Sequence, residues 1–194
     1  MIVLASKSAS RQAMLDQAGV SYEAQAASID ERALEAELSD GAPDDIALAL
    51  AEAKALAVCG AFPGRLVLGS DSLVTVAGRR FDKPVTSAQA ADHLRFFSGR
   101  TMELHSAAAL VRDGKAIFRH TAVARLVVRE LSEPFIAAYL AAEWPAVSHC
   151  VGVFRIEARG VQLFETMEGD MFTVLGMPLL AVLGALRDLG EIPA

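Results

Sequence analysis

The chain has 194 residues and a formal net charge of −6, because 24 Asp and Glu residues outnumber 18 Lys and Arg residues. That length fits one large domain or two small lobes, and a composition of 53% hydrophobic and 22% charged residues excludes a disordered chain. The acidic balance argues against a protein that wraps nucleic acid, which needs a basic face. It leaves a small phosphorylated ligand open, since a metal ion or a few local cations can hold one.

Membrane and disulfide-rich classes are also excluded by the sequence. Mean hydropathy is +0.36, but the longest apolar stretch, residues 171–186, is interrupted by Thr173, Gly176, Pro178 and Gly184. It is shorter than the roughly 18 residues that a membrane helix needs. The apolar N-terminus has no basic leader, so we expect no secretory signal. Two cysteines are too few for a disulfide framework or a Cys-rich zinc site, and we expect a cytoplasmic protein.

Helix and strand patterns alternate along the chain, which predicts an α/β or α+β domain. In chain order the predicted elements are a strand at 1–5, a serine-rich loop at 6–10, helices at 11–18 and 44–58, a strand at 66–76, a helix from Thr86 to near Gly99, strands at 102–111 and 116–129, a helix at 132–142, short strands at 151–156 and 161–164, and a helix from Pro178 to Gly190. Asp113-Gly114 is a strong hairpin signal. We therefore predict one domain over residues 1–194, with a hairpin-rich second lobe around residues 100–130.

The serine-rich loop precedes the first predicted helix and carries Ser6, Ser8 and Ser10, with Lys7 and Arg11 among them. A helix N-terminus offers unpaired N–H groups and a partial positive charge, so it binds anions readily. The hydroxyls and cations add donors suited to phosphate oxygens. Serines that only cap the helix are the commoner case, and both interpretations stay open.

Asp71 interrupts an apolar strand, in the sequence Leu68-Gly69-Ser70-Asp71-Ser72. An acid in such a strand is usually paired, protonated or bound to a metal. It could act as a general base on water or coordinate a divalent cation. An Asp that merely turns the chain at a strand end is an equally weighted alternative.

Three further positions offer charge. Asp30 and Glu31 could supply hard oxygen ligands to magnesium, although two acids at a solvated helix start are commoner. Lys54 lies mid-helix among small apolar residues and is expected to be a surface lysine unless a ligand lies above it. Lys83 precedes Pro84, which restrains its backbone and suits a fixed cation, although exposed Lys-Pro pairs are ordinary.

Several motifs recur in a fixed order from one end of the chain to the other. Residues 4–11 read LASKSASR and residues 175–179 read LGMPL. Between them lie Asp30-Glu31, LAEAKA at 50–55, Gly69-Ser70-Asp71, Asp82-Lys83-Pro84 and Ser98-Gly99-Arg100. In order and approximate spacing this set resembles the Maf-like nucleotide pyrophosphatases, whose chains open LASxSPxR and carry a C-terminal VGLPL. The resemblance covers nearly the whole sequence.

The resemblance implies hydrolysis of a nucleoside triphosphate between the α and β phosphates, which releases a monophosphate and pyrophosphate and removes non-standard or modified nucleotides. It implies that Asp71 is the proton acceptor, that Lys54 and Lys83 assist, and that Glu31 and Asp71 hold a divalent cation such as magnesium or manganese. The implied substrate-binding residues are Ser6, Ser8, Ser10, Arg11, Ser72 and Glu157. The implied fold is a mixed twisted sheet with flanking helices, in two lobes around a deep cleft, and the implied assembly is a homodimer.

Some positions depart from the family pattern. The usual Pro is Ala9, the usual Gly-Lys-Pro is Asp82-Lys83-Pro84, and Ser10 and Ser72 match neither substrate branch of the family. Residues 149–157 resemble the branch acting on 7-methyl-GTP more than the branch acting on dTTP and UTP, where a Gln replaces the Glu. A Glu at position 157 could accept hydrogen bonds from the Watson–Crick edge of a guanine-type base.

Together with these residues, the family resemblance implies a metal-dependent nucleoside triphosphate pyrophosphatase. One alternative is a non-catalytic regulator of cell division, a role also associated with this family, and another is a phosphohydrolase that releases orthophosphate. The combination of Asp71, Glu31, Lys54 and Lys83 favours an enzyme, because binding a nucleotide as a signal needs no base. The expected partners are the nucleotide and a second copy of the chain, with no nucleic acid polymer and no membrane.

Overall fold

The computed structural model describes residues 1–193, which form two compact units. Unit 1 contains Met1–Ser72, His105–Val123 and the residues from Asp170 onward. Unit 2 contains Leu73–Leu104 and Ala124–Gly169. The predicted hairpin-rich lobe around residues 100–130 and the predicted deep cleft stay predictions.

The strands are β1 Ile2–Leu4, β2 Tyr22–Ala24, β3 Val67–Val76, β4 Arg79–Phe81, β5 Thr101–Arg112, β6 Lys115–Val128 and β7 Phe164–Glu168. The α-helices are α1 Ala9–Gln17, α2 Glu31–Glu37, α3 Pro43–Cys59, α4 Ser87–Phe97, α5 Glu133–Glu143, α6 Met171–Val174 and α7 Leu179–Asp188. Two 3₁₀-helices span Ala146–His149 and Arg159–Leu163. No helix within residues 1–193 is long and apolar enough to cross a membrane.

All seven strands belong to one mixed sheet, in the order β2-β1-β3-β5-β6-β7 with β4 paired to β3. β1 is parallel to β2 and to β3, whereas β3 and β4 are antiparallel, as are β6 and β7. Strands and helices alternate through most of the chain. The predicted α/β class, a mixed sheet with flanking helices, is confirmed.

In unit 1, β1 is buried on both faces because helices cover both of them. Ile2 and Leu4 pack in a cluster with Leu15 of α1 and Leu186 of α7. Val3 faces the other way and packs with Ala55, Val58 and Cys59 of α3. Successive strand residues point to opposite faces, and a parallel strand covered on both faces is apolar throughout. This explains why the short sequence Ile2–Leu4 has no polar residue.

Gly69 sets how closely α3 approaches β3. A Cβ atom at Gly69 would lie 2.0 Å from the Ala51 carbonyl oxygen and 2.9 Å from the Ala55 nitrogen, so any side chain there would force the helix away. Lys54 lies on the same stretch of α3. The close packing therefore brings Lys54 beside the polar end of β3.

Unit 2 packs around aromatic side chains and begins its helices as predicted. Phe81 and Phe97 meet edge to face with ring centroids 4.8 Å apart, which is a favourable aromatic geometry. Thr86 caps α4 by accepting the Gln89 N–H at 3.1 Å. In turn, the Gln89 side-chain oxygen accepts a hydrogen bond at 2.8 Å from the N–H of Val85, the residue before the cap.

Two predicted strands in unit 2 are wrong. Residues 151–156 form turns and irregular chain, and residues 159–163 form a 3₁₀-helix, so β7 begins only at Phe164. Val153, Phe154 and Ile156 are nevertheless buried. A buried irregular segment thus produces the apolar pattern of a strand without strand pairing. The strands β2 and β4 and the helix α6 were not predicted, and only the start of α2 was considered, because three to seven residues show no measurable periodicity.

Candidate active site

One lysine joins two carboxylates in unit 1. Lys54 Nζ lies 2.6 Å from Asp71 Oδ1 and 3.0 Å from Glu31 Oε2. The side chains of Lys54 and Asp71 are 10% and 11% exposed, and that of Glu31 is 50% exposed. The expectation of a surface lysine is therefore wrong, because the close packing at Gly69 directs Lys54 onto the strand. Asp71 is paired, which is one of the states predicted for it.

Glu31 reaches this cluster from the start of a helix. Asp30 caps α2 by accepting the Ala33 N–H at 3.0 Å, and Glu31 is the first residue of that helix. The interpretation of Asp30-Glu31 as a helix start is therefore confirmed, and magnesium binding by these acids stays a prediction. The pair does begin a helix, and one of its two acids forms an ion pair with Lys54.

Arg11 is a buried cation whose hydrogen-bond acceptors are neutral. Its side chain donates from Nε to the Gly176 carbonyl oxygen at 3.0 Å, from Nη1 to Ser6 Oγ at 3.4 Å and from Nη2 to Ser72 Oγ at 3.3 Å. Burial lowers the pKa of Arg11, while the charges of Asp71 and Glu31 act to raise it. A guanidinium stays protonated in proteins, so this site carries positive charge that an anion can neutralise.

The serine-rich loop is confirmed as a helix start. Ser8 caps α1 by accepting the Arg11 N–H at 3.4 Å, and Ser6 Oγ accepts the Ser8 N–H at 3.1 Å. Ser10 lies in the first turn of α1 and is half-buried, and Lys7 is exposed. The capping interpretation therefore holds for Ser8, and phosphate binding by this loop stays a prediction.

Sequence reasoning named Ser6 and Ser72 but missed two other residues around Arg11, Ser70 and Gly176. Ser70, which is fully buried, donates to the same Gly176 carbonyl oxygen at 3.2 Å. Gly176 has a φ of +98°, and a Cβ there would lie 3.2 Å from Ser72 Oγ. The available signals were a hydroxyl beside Asp71 in an apolar strand and a glycine in the LGMPL motif. Neither signal shows that the residue lies beside Arg11 in the folded chain.

Lys83 and Glu157 belong to unit 2, and both are exposed. Their common neighbour is Cys150. Burial raises the pKa of the Cys150 thiol, Glu157 raises it further, and Arg155 and Lys83 act to lower it. The eight other predicted residues, Ser6, Ser8, Ser10, Arg11, Glu31, Lys54, Asp71 and Ser72, all belong to unit 1.

The donor set fits a hard divalent cation in part. Glu31 Oε2 and Asp71 Oδ1 both lie within 3.0 Å of one nitrogen, so their oxygens converge on one cationic position. Magnesium is usually held by one or two carboxylates, with water and substrate phosphates as its other ligands. Residues 1–193 contain no group of three His, Cys, Asp or Glu side chains placed to hold a metal. A divalent cation held here would therefore take two carboxylates from the protein and its other ligands from water and substrate.

Comparison with known proteins identifies the family. The model of the Maf-like protein family matches residues 1–189. A 7-methyl-GTP pyrophosphatase of Rhizobium meliloti (strain 1021) is 47% identical over 196 residues, covering 100% of this chain and 98% of the relative. A nucleoside triphosphate pyrophosphatase of Rhodopseudomonas palustris (strain BisB18) is 48% identical over 187 residues, covering 96% and 93%.

A solved structure of a nucleoside-triphosphatase / dITP/XTP pyrophosphatase from Mycobacterium abscessus aligns with 97% of this chain and 96% of its own. Its TM-score is 0.42 and its sequence identity 18%, values too low to support a conclusion. The family match and the full-length relatives are sufficient without it. The resemblance noted from the motifs is confirmed, and the chain belongs to the Maf-like protein family.

Proposed function

We propose that this chain is a nucleoside triphosphate pyrophosphatase, which hydrolyses the substrate to a nucleoside monophosphate and pyrophosphate. The observation that carries this conclusion is the cluster of buried Lys54 and Asp71 with the half-exposed Glu31, to which the buried cation Arg11 is electrostatically coupled. Carboxylates that can take a proton and cations that can neutralise phosphate are the groups that phosphate anhydride hydrolysis needs. The two full-length relatives carry names of this activity.

Asp71 is the proton acceptor in this proposal. Lys54 fixes one of its carboxylate oxygens, which leaves the other available to a water molecule. As the water oxygen bonds to phosphorus, its proton moves to Asp71, the bridging P–O bond between the α and β phosphates breaks, and pyrophosphate leaves. A positioned general base contributes typically about 10²–10⁴ in rate.

In unit 1, Arg11 and Lys54 supply positive charge to the triphosphate. The acceptors Gly176, Ser6 and Ser72 hold the Arg11 guanidinium before substrate arrives. Donors that are already oriented need no reorganisation as charge develops on the phosphate oxygens, which is why such preorganisation lowers the barrier. Lys83 and the serines of the α1 loop are assigned to triphosphate binding by the family resemblance.

We propose that Glu31 and Asp71 hold a divalent cation, magnesium or manganese. When bound, such an ion polarises phosphoryl oxygens and neutralises charge on the leaving group. The Lys54 ammonium contacts the same two carboxylate oxygens, and so it competes for them. Phosphate oxygens of a bound nucleotide give Lys54 an alternative partner, so we expect the cation to bind together with the nucleotide.

For the base, we propose a guanine-type nucleotide, with 7-methyl-GTP as the first candidate. Support comes from the name of the Rhizobium relative and from the exposed carboxylate of Glu157 in unit 2. We also propose that the protein is a cytoplasmic homodimer that removes modified nucleotides. Both cysteines are free thiols, which suits a reducing compartment.

The proposal is tested by incubating the purified chain and magnesium with ATP, GTP, 7-methyl-GTP, UTP and dTTP, and quantifying the products by ion-exchange chromatography. We expect equal amounts of monophosphate and pyrophosphate, with 7-methyl-GTP consumed fastest. Diphosphate and orthophosphate as products would show a different phosphohydrolase. No turnover of any nucleotide would contradict an enzymatic role and favour a binding protein.

A further inference from the structure

The segment that carries Glu157 is irregular but firmly held. Residues 150–158, here called the Glu157 segment, form turns rather than a strand. Within it Val153, Phe154 and Ile156 are buried, while Glu157 is exposed. The apolar side chains of the segment are therefore packed in the interior, and the Glu157 carboxylate is exposed to solvent.

Val153 adopts a backbone conformation that its side chain disfavours. Its φ is +57°, and a β-branched residue in the left-handed region is a steric outlier. Such conformations persist only where the surrounding structure imposes them, and they occur often at ligand-binding sites. The Val153 side chain is fully buried, so packing contributes to holding it there.

A tyrosine hydroxyl holds this residue directly. Tyr139 Oη donates to the Val153 carbonyl oxygen at 2.9 Å, and both groups are buried. Burial raises the pKa of Tyr139, with a smaller contribution from the charge of Glu143. The hydroxyl therefore stays protonated and remains a donor at any physiological pH.

A buried carboxylate on the same helix holds the segment at a second point. Glu143 Oε2 accepts from Arg155 Nε at 3.2 Å and from Arg155 Nη2 at 2.8 Å. The Glu143 side chain is 5% exposed and that of Arg155 is 38% exposed, so a buried carboxylate is paired here with a partly exposed guanidinium. Tyr139 and Glu143 are four residues apart on α5 and share one face of that helix. One face of α5 thus anchors the Glu157 segment on both sides of Phe154.

The backbone leaves the segment little room to adjust. A Cβ at Gly160 would lie 2.5 Å from the Arg155 carbonyl oxygen, and one at Gly152 would lie 2.6 Å from the Phe154 ring. The chain therefore folds back on itself around Phe154 and Arg155. The contacts of Tyr139 and Glu143 and the close approaches at the two glycines therefore restrict the backbone conformation of the residues just before Glu157.

We propose that Tyr139 and Glu143 are positioning residues for base recognition, which hold the Glu157 segment so that the Glu157 carboxylate meets the donor edge of a guanine-type base. This inference rests on the proposed pyrophosphatase function and on Glu157 reading the base. Neither Tyr139 nor Glu143 touches the nucleotide in this account. They act on specificity and leave the hydrolysis in unit 1 unchanged.

The test compares kcat/KM for 7-methyl-GTP and for UTP in Tyr139→Phe and Glu143→Gln. Misplacing a positioned group by about 1 Å can cost up to 10²-fold, so we expect the ratio of the two kcat/KM values to fall about ten-fold. The loss should be in KM for 7-methyl-GTP, while kcat for UTP stays within about two-fold. The controls are Tyr22→Phe in β2 and Glu133→Gln, which removes a carboxylate from the exposed part of α5.

A double-mutant cycle separates positioning from general loosening of the fold. In a Glu157→Ala background, Tyr139→Phe should cause no further loss of discrimination, because its effect passes through Glu157. If Glu143→Gln does not fold, Tyr139→Phe carries the test alone, since it keeps the ring and removes only the hydroxyl.

The outcomes are distinguishable. An unchanged substrate ratio in Tyr139→Phe, or in Glu157→Ala itself, overturns the positioning proposal while the enzyme remains active. Additive losses in the cycle overturn it as well. A wild-type protein that hydrolyses no triphosphate to pyrophosphate contradicts the proposed function instead.

Discussion

The two units use charged side chains in different ways. In unit 1, Lys54, Asp71 and Glu31 project from regular elements, a helix interior, a strand and a helix start, onto one point. In unit 2, the buried carboxylate of Glu143 pairs with Arg155, ties a helix to an irregular segment and leaves Glu157 exposed nearby. The first arrangement brings three charged groups together at the proposed site of hydrolysis. The second uses an ion pair to anchor a loop.

This contrast suggests that the proposed catalytic groups of unit 1 and the proposed specificity group of unit 2 respond differently to substitution. Groups on regular elements are fixed by the core, so replacing them alters chemistry with little movement of the backbone. A group on an irregular segment depends on the contacts that hold the segment. We therefore expect substitutions in unit 1 to change rate or ion binding, and substitutions around the Glu157 segment to change discrimination between bases.

The largest expected effect is in unit 1. Asp71→Asn keeps the shape of the side chain but removes the proton acceptor, so we expect kcat to fall by roughly 10²–10⁴. The measurement is pyrophosphate release at saturating nucleotide and magnesium. Asp45→Asn, at an exposed acid in the first turn of α3, is the matched control. Near wild-type activity of Asp71→Asn would mean that another group is the base.

The next effect concerns the buried guanidinium. Arg11→Lys keeps the charge but loses the fork that reaches Gly176, Ser6 and Ser72. Hydrogen bonds to charged groups contribute about 1.5–3 kcal/mol, so KM for the triphosphate should rise about ten-fold or more. Arg187→Lys, at an exposed position near the end of α7, controls for the exchange itself. An unchanged KM would remove Arg11 from the binding site.

Removing the Lys54 charge should strengthen the binding of a divalent cation to the nucleotide-free protein, although it lowers the activity. Lys54→Met removes the cation that occupies the carboxylate oxygens, so Mn²⁺ should bind about ten-fold more tightly to the free protein, although the enzyme is slower. Titration followed by electron paramagnetic resonance measures this, with Lys54→Arg as the charge-preserving control. Equal or weaker Mn²⁺ binding in Lys54→Met would show that the carboxylates do not hold the ion.

The smallest effect reports on unit 2. Burial and Glu157 raise the pKa of Cys150, and only the thiolate reacts with alkylating agents. At pH 8, Glu157→Gln should therefore lower the pKa of Cys150 and speed its reaction with iodoacetamide by about two-fold. The rate is measured in a Cys59→Ala background. A slower or unchanged reaction would place Glu157 farther from Cys150 than the structure has it.

The sequence predicted unit 1 better than unit 2. An acid inside an apolar strand and a glycine two residues earlier are local signals, so Asp71 could be singled out. The burial of Lys54 could not, because it depends on how closely α3 approaches β3 at Gly69, a long-range contact that no periodicity records. Arg11 was singled out, but its partner Gly176 is 165 residues away.

The Glu157 segment was predicted least well. Its buried valine, phenylalanine and isoleucine produce the pattern of a strand, and the positive φ of Val153 leaves no trace in the sequence. The helix α5 was predicted at 132–142, within one residue of its observed bounds, but Tyr139 and Glu143 have the pattern of ordinary helix residues. Their role depends on the tertiary fold of a segment that has no regular structure.

The most direct measurement of the central claim is ³¹P NMR of 7-methyl-GTP hydrolysis by the wild-type chain and by Asp71→Asn. With magnesium present, we predict that the wild type gives monophosphate and pyrophosphate resonances that grow together, without orthophosphate, and that Asp71→Asn leaves the triphosphate largely intact over the same time. Orthophosphate as the first product, or equal pyrophosphate release by both proteins, would contradict the account.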